Sequence, residues 1–299
     1  MRVDPHYITN LVGSLSSSTS IEQKLASELS SGLRVSSLSD DPVAAGQAAM
    51  LNAAIAQDDT FLQTAATAQS LMQVTDSALG SVVTQLTSAI SASTGGVNGT
   101  ESPADLKSLA QSLAGMRDQV LSLANTSYQG TYIFAGSQGS TQPFTLDTST
   151  SPATVTYHGD AQTGFITTET GQQISTGLAG SAVFTAAGAD VLAALNSLVA
   201  DFASGAASPT SSADLAALQS ALGNVSQQRS ALDSALSRIN SAGTYAQTDA
   251  TNRSATASNL VAADPAQIAT QLSSAETQNQ ALMSVIATVE KQSLFDYVQ

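Results

Sequence analysis

Residues 44–92 read AAGQAAMLNAAIAQDDTFLQTAATAQSLMQVTDSALGSVVTQLTSAISA, and the fold turns on their spacing. Ala48, Leu51, Ile55, Asp58, Leu62, Ala65, Gln69, Met72, Asp76, Leu79, Val83, Leu86 and Ile90 follow one another in steps alternating three and four. Such steps keep one side of an α-helix toward a partner over many turns, so they predict a long helix with a coiled-coil seam and polar breaks. At 1.5 Å per residue that helix is about 70 Å long. A second seam of the same kind runs Leu215, Leu218, Leu222, Val225, Arg229, Leu232, Leu236, Ile239, Gly243 and Ala246, and its stretch continues without proline to about Asn259. Two rods of matched length from opposite halves of the chain predict an antiparallel pair, with the intervening sequence at one end and both termini at the other.

Working outward, four helix starts are legible. Asp4-Pro5, Asp41-Pro42, Ser102-Pro103 and Asp264-Pro265 each place an acceptor side chain before a proline at the first helical position. The first opens a helical stretch to about Leu38, with the Ser-rich run 16–20 as an interruption. Gly95 to Gly99 reads as a loop, and the helix after Ser102 carries Leu106, Leu109, Leu113, Met116, Val120 and Leu123 and ends near Tyr128. From Gly130 to about Phe184 the period changes to short β-leaning runs at 131–135, 155–157 and 165–168, separated by Gly, Pro, Asp and Ser turns. Helical pattern returns at 189–202, and a last helix spans 266 to about 292. The expected fold is mainly α with a β insertion: an elongated antiparallel helical bundle or coiled coil carrying a small β-rich domain at one end. The expected division is terminal helical segments 1–40 and 264–299, a long-helix core of 41–129 and 188–263, and a β-rich insertion of 130–187.

Composition removes several classes of function. In 299 residues, 42% are apolar but only 4% aromatic with no Trp, so burial rests on Ala, Leu and Val, which suits long, thin helical packing. A net charge of −14 leaves no basic footprint for nucleic acid. No run approaches the roughly 20 apolar residues that a membrane span needs. Cysteine is absent, which excludes disulfides and thiolate metal sites. The start MRVDPHYITN lacks a basic and then apolar leader, so a cleaved secretory signal is not expected.

Catalytic, cofactor and metal constellations are all absent from this reading. Asp40 and Asp41 could be an acid pair, but adjacent acids before a proline read as a turn and an N-cap. His6 and His158 stand far apart with no HExxH between them, and His158 reads as a turn residue. No GxSxG or Walker sequence occurs, and Gly136 to Gly139 lacks the spacing of a phosphate cradle. Asn98-Gly99-Thr100 reads as a turn rather than a glycosylated sequon.

The termini differ from the rest. Between Pro5 and Ile21 the only side chain that can carry a charge near neutral pH is His6, and between Ala266 and Val289 the only one is Glu276. A helix destined for solvent would carry Lys and Glu there. The apolar side chains of the ends are also too few to offset the entropy of ordering so much backbone. Both ends are therefore expected to be disordered or loosely helical in the free chain and to order between neighbouring subunits. The assembly interface is expected at Ile8, Leu11, Leu15, Leu25, Leu29 and Leu33 in the first segment and at Ile268, Leu272, Leu282, Ile286 and Val289 in the last. Head-to-tail contact between such ends generates a helical polymer or a ring.

At residues 29–42 the chain reads LSSGLRVSSLSDDP, which resembles the N-terminal region of the flagellin superfamily. The runs GTYIFAGSQGSTQPF (130–144), VTYHGD (155–160), LAGSAVF (178–184) and LFDYV (294–298) are similar to one branch of it, the flagellar hook-associated protein 3 or hook–filament junction family. The resemblance implies a structural, non-enzymatic part of the extracellular bacterial flagellum. It implies export through the flagellar type III apparatus with a dedicated chaperone, and a ring-like layer of copies between hook-associated protein 1 and the flagellin filament. It places Leu25, Leu29, Leu33 and the row from Leu272 to Val289 in an inner coiled coil. A flagellin filament subunit is the second reading, and a secreted binding module the third; the latter needs a larger tip than residues 130–187 supply.

Overall fold

The structure, a computed structural model, describes residues 5–99, 101–206 and 208–297, with side chains from Thr9 to Val289. Seven helices and eight short strands occur among them. In order they are α1 (Pro5–Ser31), α2 (Pro42–Val97), α3 (Pro103–Ala124), β1 (Ser127–Tyr128), β2 (Thr131–Tyr132), β3 (Phe144–Asp147), β4 (Thr154–Tyr157), β5 (Phe165–Thr167), β6 (Gln173–Ser175), α4 (Gly180–Phe184), β7 (Thr185–Ala186), β8 (Ala189–Asp190), α5 (Val191–Ala203), α6 (Ser211–Val261) and α7 (Pro265–Tyr297). The chain divides into two compact units, Met1–Gln57 with Asp249–Gln299, and Asp58–Thr248; the division falls inside α2 and α6.

In the unit Asp58–Thr248, α2 and α6 run antiparallel, as the matched seams predict. Gln69 Nε2 donates to Asn240 Oδ1 at 2.9 Å, and Arg229 Nε to Asp76 Oδ1 at 2.5 Å, so α6 descends as α2 ascends. On α6 the expected positions Leu218, Val225, Leu232, Ile239 and Ala246 are buried, seven residues apart. On α2 the seam is partly displaced. Ala65, Met72, Leu79 and Leu86 are buried as expected, but between them lie Phe61, Ala68, Thr75, Val82 and Ala89 rather than Leu62, Gln69, Asp76, Val83 and Ile90, which are only half-buried. The cause is that α2 also meets the core built by α3, α5 and the strands, so its stripe turns away from the line toward α6. Two of the three polar positions of the expected seam, Gln69 and Asp76, then carry the Asn240 and Arg229 contacts at its edge.

The strands form four two-stranded antiparallel sheets, β1–β2, β3–β4, β5–β6 and β7–β8. Phe134, Phe144, Ile166, Ile174 and Phe184 belong to the same buried cluster as Met72, Leu113 and Leu195, so the β segment shares the helical core. Three of the chain's seven phenylalanines meet here. Phe134 and Phe144 both stand edge-on to Phe184, at centroid distances of 5.1 and 5.3 Å. Three of the chain's few aromatics are thus concentrated where a thick packing centre is required.

In the unit Met1–Gln57 with Asp249–Gln299, α1 packs along α7 around buried Leu25, Ile268 and Ala275, with Leu272 against them. The run 29–42 explains itself residue by residue. Gly32 adopts φ +71°, a left-handed conformation that ends α1, and its N–H returns to the Glu28 carbonyl at 2.8 Å. The next residues clasp the end of α6: Arg34 N–H donates to the Val261 carbonyl at 2.8 Å, Ala263 N–H to the Gly32 carbonyl at 2.9 Å, and the Arg34 guanidinium to the Leu260 carbonyl at 3.1 Å. Asp40 then accepts from the amides of Ser36 (3.2 Å) and Ser37 (2.9 Å) and pairs with Lys24 at 3.2 Å. Asp41 caps α2 by accepting from Ala44 N–H at 3.0 Å and pairs with Arg34 at 3.2 Å. The reading of the pair as a turn and an N-cap holds, with Asp40 closing the turn and Asp41 capping the helix.

Three local expectations are corrected. The Ser-rich run 16–20 does not interrupt α1; Thr19 returns its hydroxyl to the Leu15 carbonyl at 2.9 Å, so a hydroxylic side chain is satisfied within the helix. The same helix stops at Ser31 rather than near Leu38, because Gly32 turns the chain into the clasp. Gly95 and Gly96 are helical, not a loop: a β-carbon on Gly96 would stand 2.7 Å from Leu109 and 3.0 Å from Phe202, so glycine there allows close packing. The turn comes at Gly99, with φ +69°.

Two outcomes are expected. Val82→Ala should lower unfolding free energy by about 2 kcal/mol in denaturant titrations and Val83→Ala by well under half as much, because only Val82 is fully covered. Asp40 is held far below its ordinary value of 3.8, first by the Ser37 hydroxyl and then by Lys24 and backbone amides. Its contribution is present above the ordinary carboxylate range and lost as pH falls through the lowered folded-state value. Asp40→Asn should therefore melt earlier than the parent at neutral pH, with the gap closing as the solution is acidified below 3.8.

Candidate functional site

Exposed large apolar side chains mark the surface most in need of explanation. Among the described residues nine of the eleven lie in the unit Met1–Gln57 with Asp249–Gln299: Val12, Ile21, Leu29, Leu33, Leu38, Val43, Met50, Met283 and Val285. They sit on α1, on the clasp, on the first turns of α2 and on α7. Pairing of α1 with α7 covers one face of each helix and leaves apolar residues on others, because among the described residues the cluster between them buries only three side chains, Leu25, Ile268 and Ala275. Between the two helices runs a groove lined by Ile21, Leu25, Thr270, Ser274, Ala275 and Gln278, none of them charged.

The residues expected at an assembly interface divide by exposure. Leu25 and Ile268 are buried in the α1–α7 contact, and Leu272 packs beside them. Leu11, Leu15, Leu282, Ile286 and Val289 are half-buried, while Leu29 and Leu33 are 42% and 38% exposed. The side chain of Ile8 lies outside the described residues, as do those of His6 and the LFDYV run. Seam counting missed Leu38, Val43 and Met50, at 67%, 69% and 76% exposure. The signal available was the seven-residue step from Val43 to Met50, one position off the seam through Ala48 and Leu51.

Polar groups elsewhere are engaged in holding the fold. The Gly136–Gly139 turn binds an anion of the chain itself: Asp160 accepts from the Ser137 amide at 2.8 Å and from the Ser137 hydroxyl, and these bonds hold its carboxyl below the usual range. A β-carbon on Gly136 would collide with Asp160. Tyr157 donates to the carbonyls of Phe134 (2.9 Å) and Asp160 (2.8 Å), and Gly180 N–H also donates to Phe134 at 2.9 Å. Burial pushes the Tyr157 phenol up. Thus GTYIFAG, VTYHGD and LAGSAVF, far apart in sequence, close into one knot around the Phe134 carbonyl. His158 contacts Thr145 at 2.8 Å within the β3–β4 hairpin. Asp214 is pushed up by burial and by the nearby Asp201 charge, but Asp201 accepts from Ser211 at 2.8 Å and so secures the start of α6. Burial also raises Asp190, whose carboxylate caps α5 through Ala193 N–H at 2.8 Å. Among the described residues no three His, Cys, Asp or Glu side chains gather as a metal site, and no helix is long and apolar enough to cross a membrane.

Comparison with known proteins agrees with this architecture. The family model of the bacterial flagellin N-terminal helical region matches residues 9–139, and that of the C-terminal helical region matches residues 215–298. Flagellar hook-associated protein 3 of Salmonella typhimurium is 35% identical over 187 residues, which are 59% of this chain and 57% of that protein. The Escherichia coli protein of the same name is 40% identical over 122 residues, 40% of this chain and 38% of its own. The matched region thus spans little more than half of the first relative's length and less of the second's. The crystal structure of flagellar hook-associated protein 3 from Legionella pneumophila shares the fold, with a TM-score of 0.64 at 16% identity over 71% of this chain and 98% of that one. Matched at both ends over well more than half of its length, the chain belongs to the flagellin family.

Proposed function

We propose that the chain is a structural component of the bacterial flagellum that joins the hook to the flagellin filament, outside the cell and without catalysis. The observation that carries this reading is the concentration of exposed large apolar side chains on α1, α7, the clasp and the start of α2, which hold nine of the eleven among the described residues. A large exposed apolar patch on a protein in water marks a surface that another protein covers. On this reading the segments 1–40 and 264–299 are assembly elements that order fully between subunits. Residues 41–129 with 188–263 are the long-helix core and 130–187 an insertion on it. Ile8, Leu11, Leu15, Leu25, Leu29, Leu33, Ile268, Leu272, Leu282, Ile286 and Val289 form the contact rows. The partners are other copies in a ring-like layer, hook-associated protein 1 on one side, flagellin on the other, and an export chaperone before assembly. The similarity to hook-associated protein 3 of two bacteria supports the junction over the filament.

A filament subunit is the second reading, favoured by the match to both flagellin helical regions. Growth of long polymers from seeds by the purified chain would select it, whereas a junction adaptor stops after a layer. Deleting the gene in its motile host should give cells that bear hooks and shed unpolymerised flagellin into the medium. Normal filaments on such cells would refute the junction.

A further inference from the structure

The turn that ends α2 holds a chemical pair found nowhere else in the chain. Of ten asparagines, Asn98 alone is followed by glycine. Eight of the other nine lie inside helices. There the N–H of the following residue donates to the carbonyl four residues before it, and the fixed backbone holds that nitrogen in place. The ninth, Asn125, ends α3 and is clamped by Phe144: its Nδ2 donates to the Phe144 carbonyl and its Oδ1 accepts from the Phe144 amide, both at 2.9 Å. Asn98 is exposed and stands just past Val97, the last residue of α2, and among the described residues nothing bonds its side chain. Gly99 sits at φ +69°, and among the described residues no atom beyond its chain neighbours lies within 4 Å of where its β-carbon would be. The missing side chain leaves the Asn98 Cγ free to approach the Gly99 nitrogen.

We propose that Asn98 is a site of spontaneous covalent modification in the folded chain. The Gly99 nitrogen, having lost its proton to solvent base, attacks Cγ of Asn98. A nitrogen–carbon bond forms, the bond from Cγ to Nδ2 breaks, and ammonia leaves with a proton from water, closing a cyclic imide. Water then adds to either ring carbonyl and opens the ring. Position 98 becomes aspartyl or, with the chain rerouted through the side chain, isoaspartyl. In sum, asparagine plus water gives the acid plus ammonia, and nothing in the step depends on the flagellar reading. The new carboxylate stands at the carbonyl end of a 56-residue helix, the end whose dipole disfavours negative charge. Glu101 is near the same end, its Oε1 3.6 Å from where a β-carbon on Gly95 would be. The change therefore loosens the turn between α2 and α3.

The full chain is incubated at mildly alkaline pH and digested, and its peptides are weighed. The peptide holding Asn98 should gain the mass of an amide turned to an acid several-fold faster than any other asparagine peptide. It should also separate into aspartyl and isoaspartyl forms, and Asn98→Gln should lose most of the gain because the longer side chain closes the ring poorly. In guanidinium chloride the peptides of Asn196 and Asn240, each followed by serine and each helical in the folded chain, should begin to gain as well. Absence of the gain at Asn98, an even gain over the asparagines of the folded chain, or an aspartyl form without the isoaspartyl one overturns the proposal. Asn98→Asp, which carries the charge from the start, should exchange the amides of the α2–α3 turn several-fold faster than the parent. Equal exchange overturns the loosening.

Discussion

Burial of narrow aliphatic stripes is the constraint on which every element of this chain depends. With few aromatics, a helix here cannot be stabilised by one or two large anchors; it needs a long partner against which Ala, Leu and Val are covered turn after turn. In residues 58–248 that requirement is met. Leu79, Val82 and Leu86 of α2, Leu113 of α3, Leu195 of α5 and Leu232 of α6 enter one cluster, and the few phenylalanines close it around the strands. In the other unit it is only half met. Leu25, Ile268 and Ala275 are buried while Val12, Ile21, Leu38, Val43, Met50 and Met283 are left in solvent. The difference between the units is one of completion, and the incomplete one leaves the most apolar surface for a partner to cover.

The polar chemistry serves the same end. A surface that will be covered by another protein should carry few charges, because each must be desolvated or paired. The long helices solve this by being rich in Ser and Thr whose hydroxyls return to the carbonyl four residues back, as Ser70 does to Ala66 and Thr84 to Gly80, both at 3.0 Å. The helix exterior is polar without being ionic. Charges are spent at defined places: Asp76 with Arg229 at the α2–α6 edge, buried Arg117 with Asp118 and Asn196 between α3 and α5, and Asp40, Asp41 and Arg34 at the clasp. Each holds a helix end or a register.

Much of this was readable before any coordinates. Heptad steps located α2 and α6 and their antiparallel sense, and Pro after Asp or Ser located three described helix starts. What the steps could not fix was which side of α2 is most buried, because spacing reports a partner and not how many; Val82 and Ala89 are covered by a core assembled from α3, α5 and the strands. Gly96 read as part of a loop because sequence shows a missing side chain and not the Leu109 and Phe202 that occupy its place. The clasp was legible as a motif, but that Leu33 and Arg34 would reach Ala262 and Leu260 requires the fold. Leu25 and Ile268, expected at an assembly interface, are buried between α1 and α7 of the same chain, and the exposed set at Leu38, Val43 and Met50 was passed over because it lies off the seam.

The central claim is that the terminal helices are completed by neighbours and the core is not. Amide hydrogen exchange, compared between the free chain and isolated flagella that contain it, measures this directly. The account predicts that amides of α1 and α7 exchange rapidly in the free chain and become protected on assembly, while amides of α2 from Met72 to Leu86 are slow in both. Equal protection of α1 and α7 in the free and assembled states would contradict it.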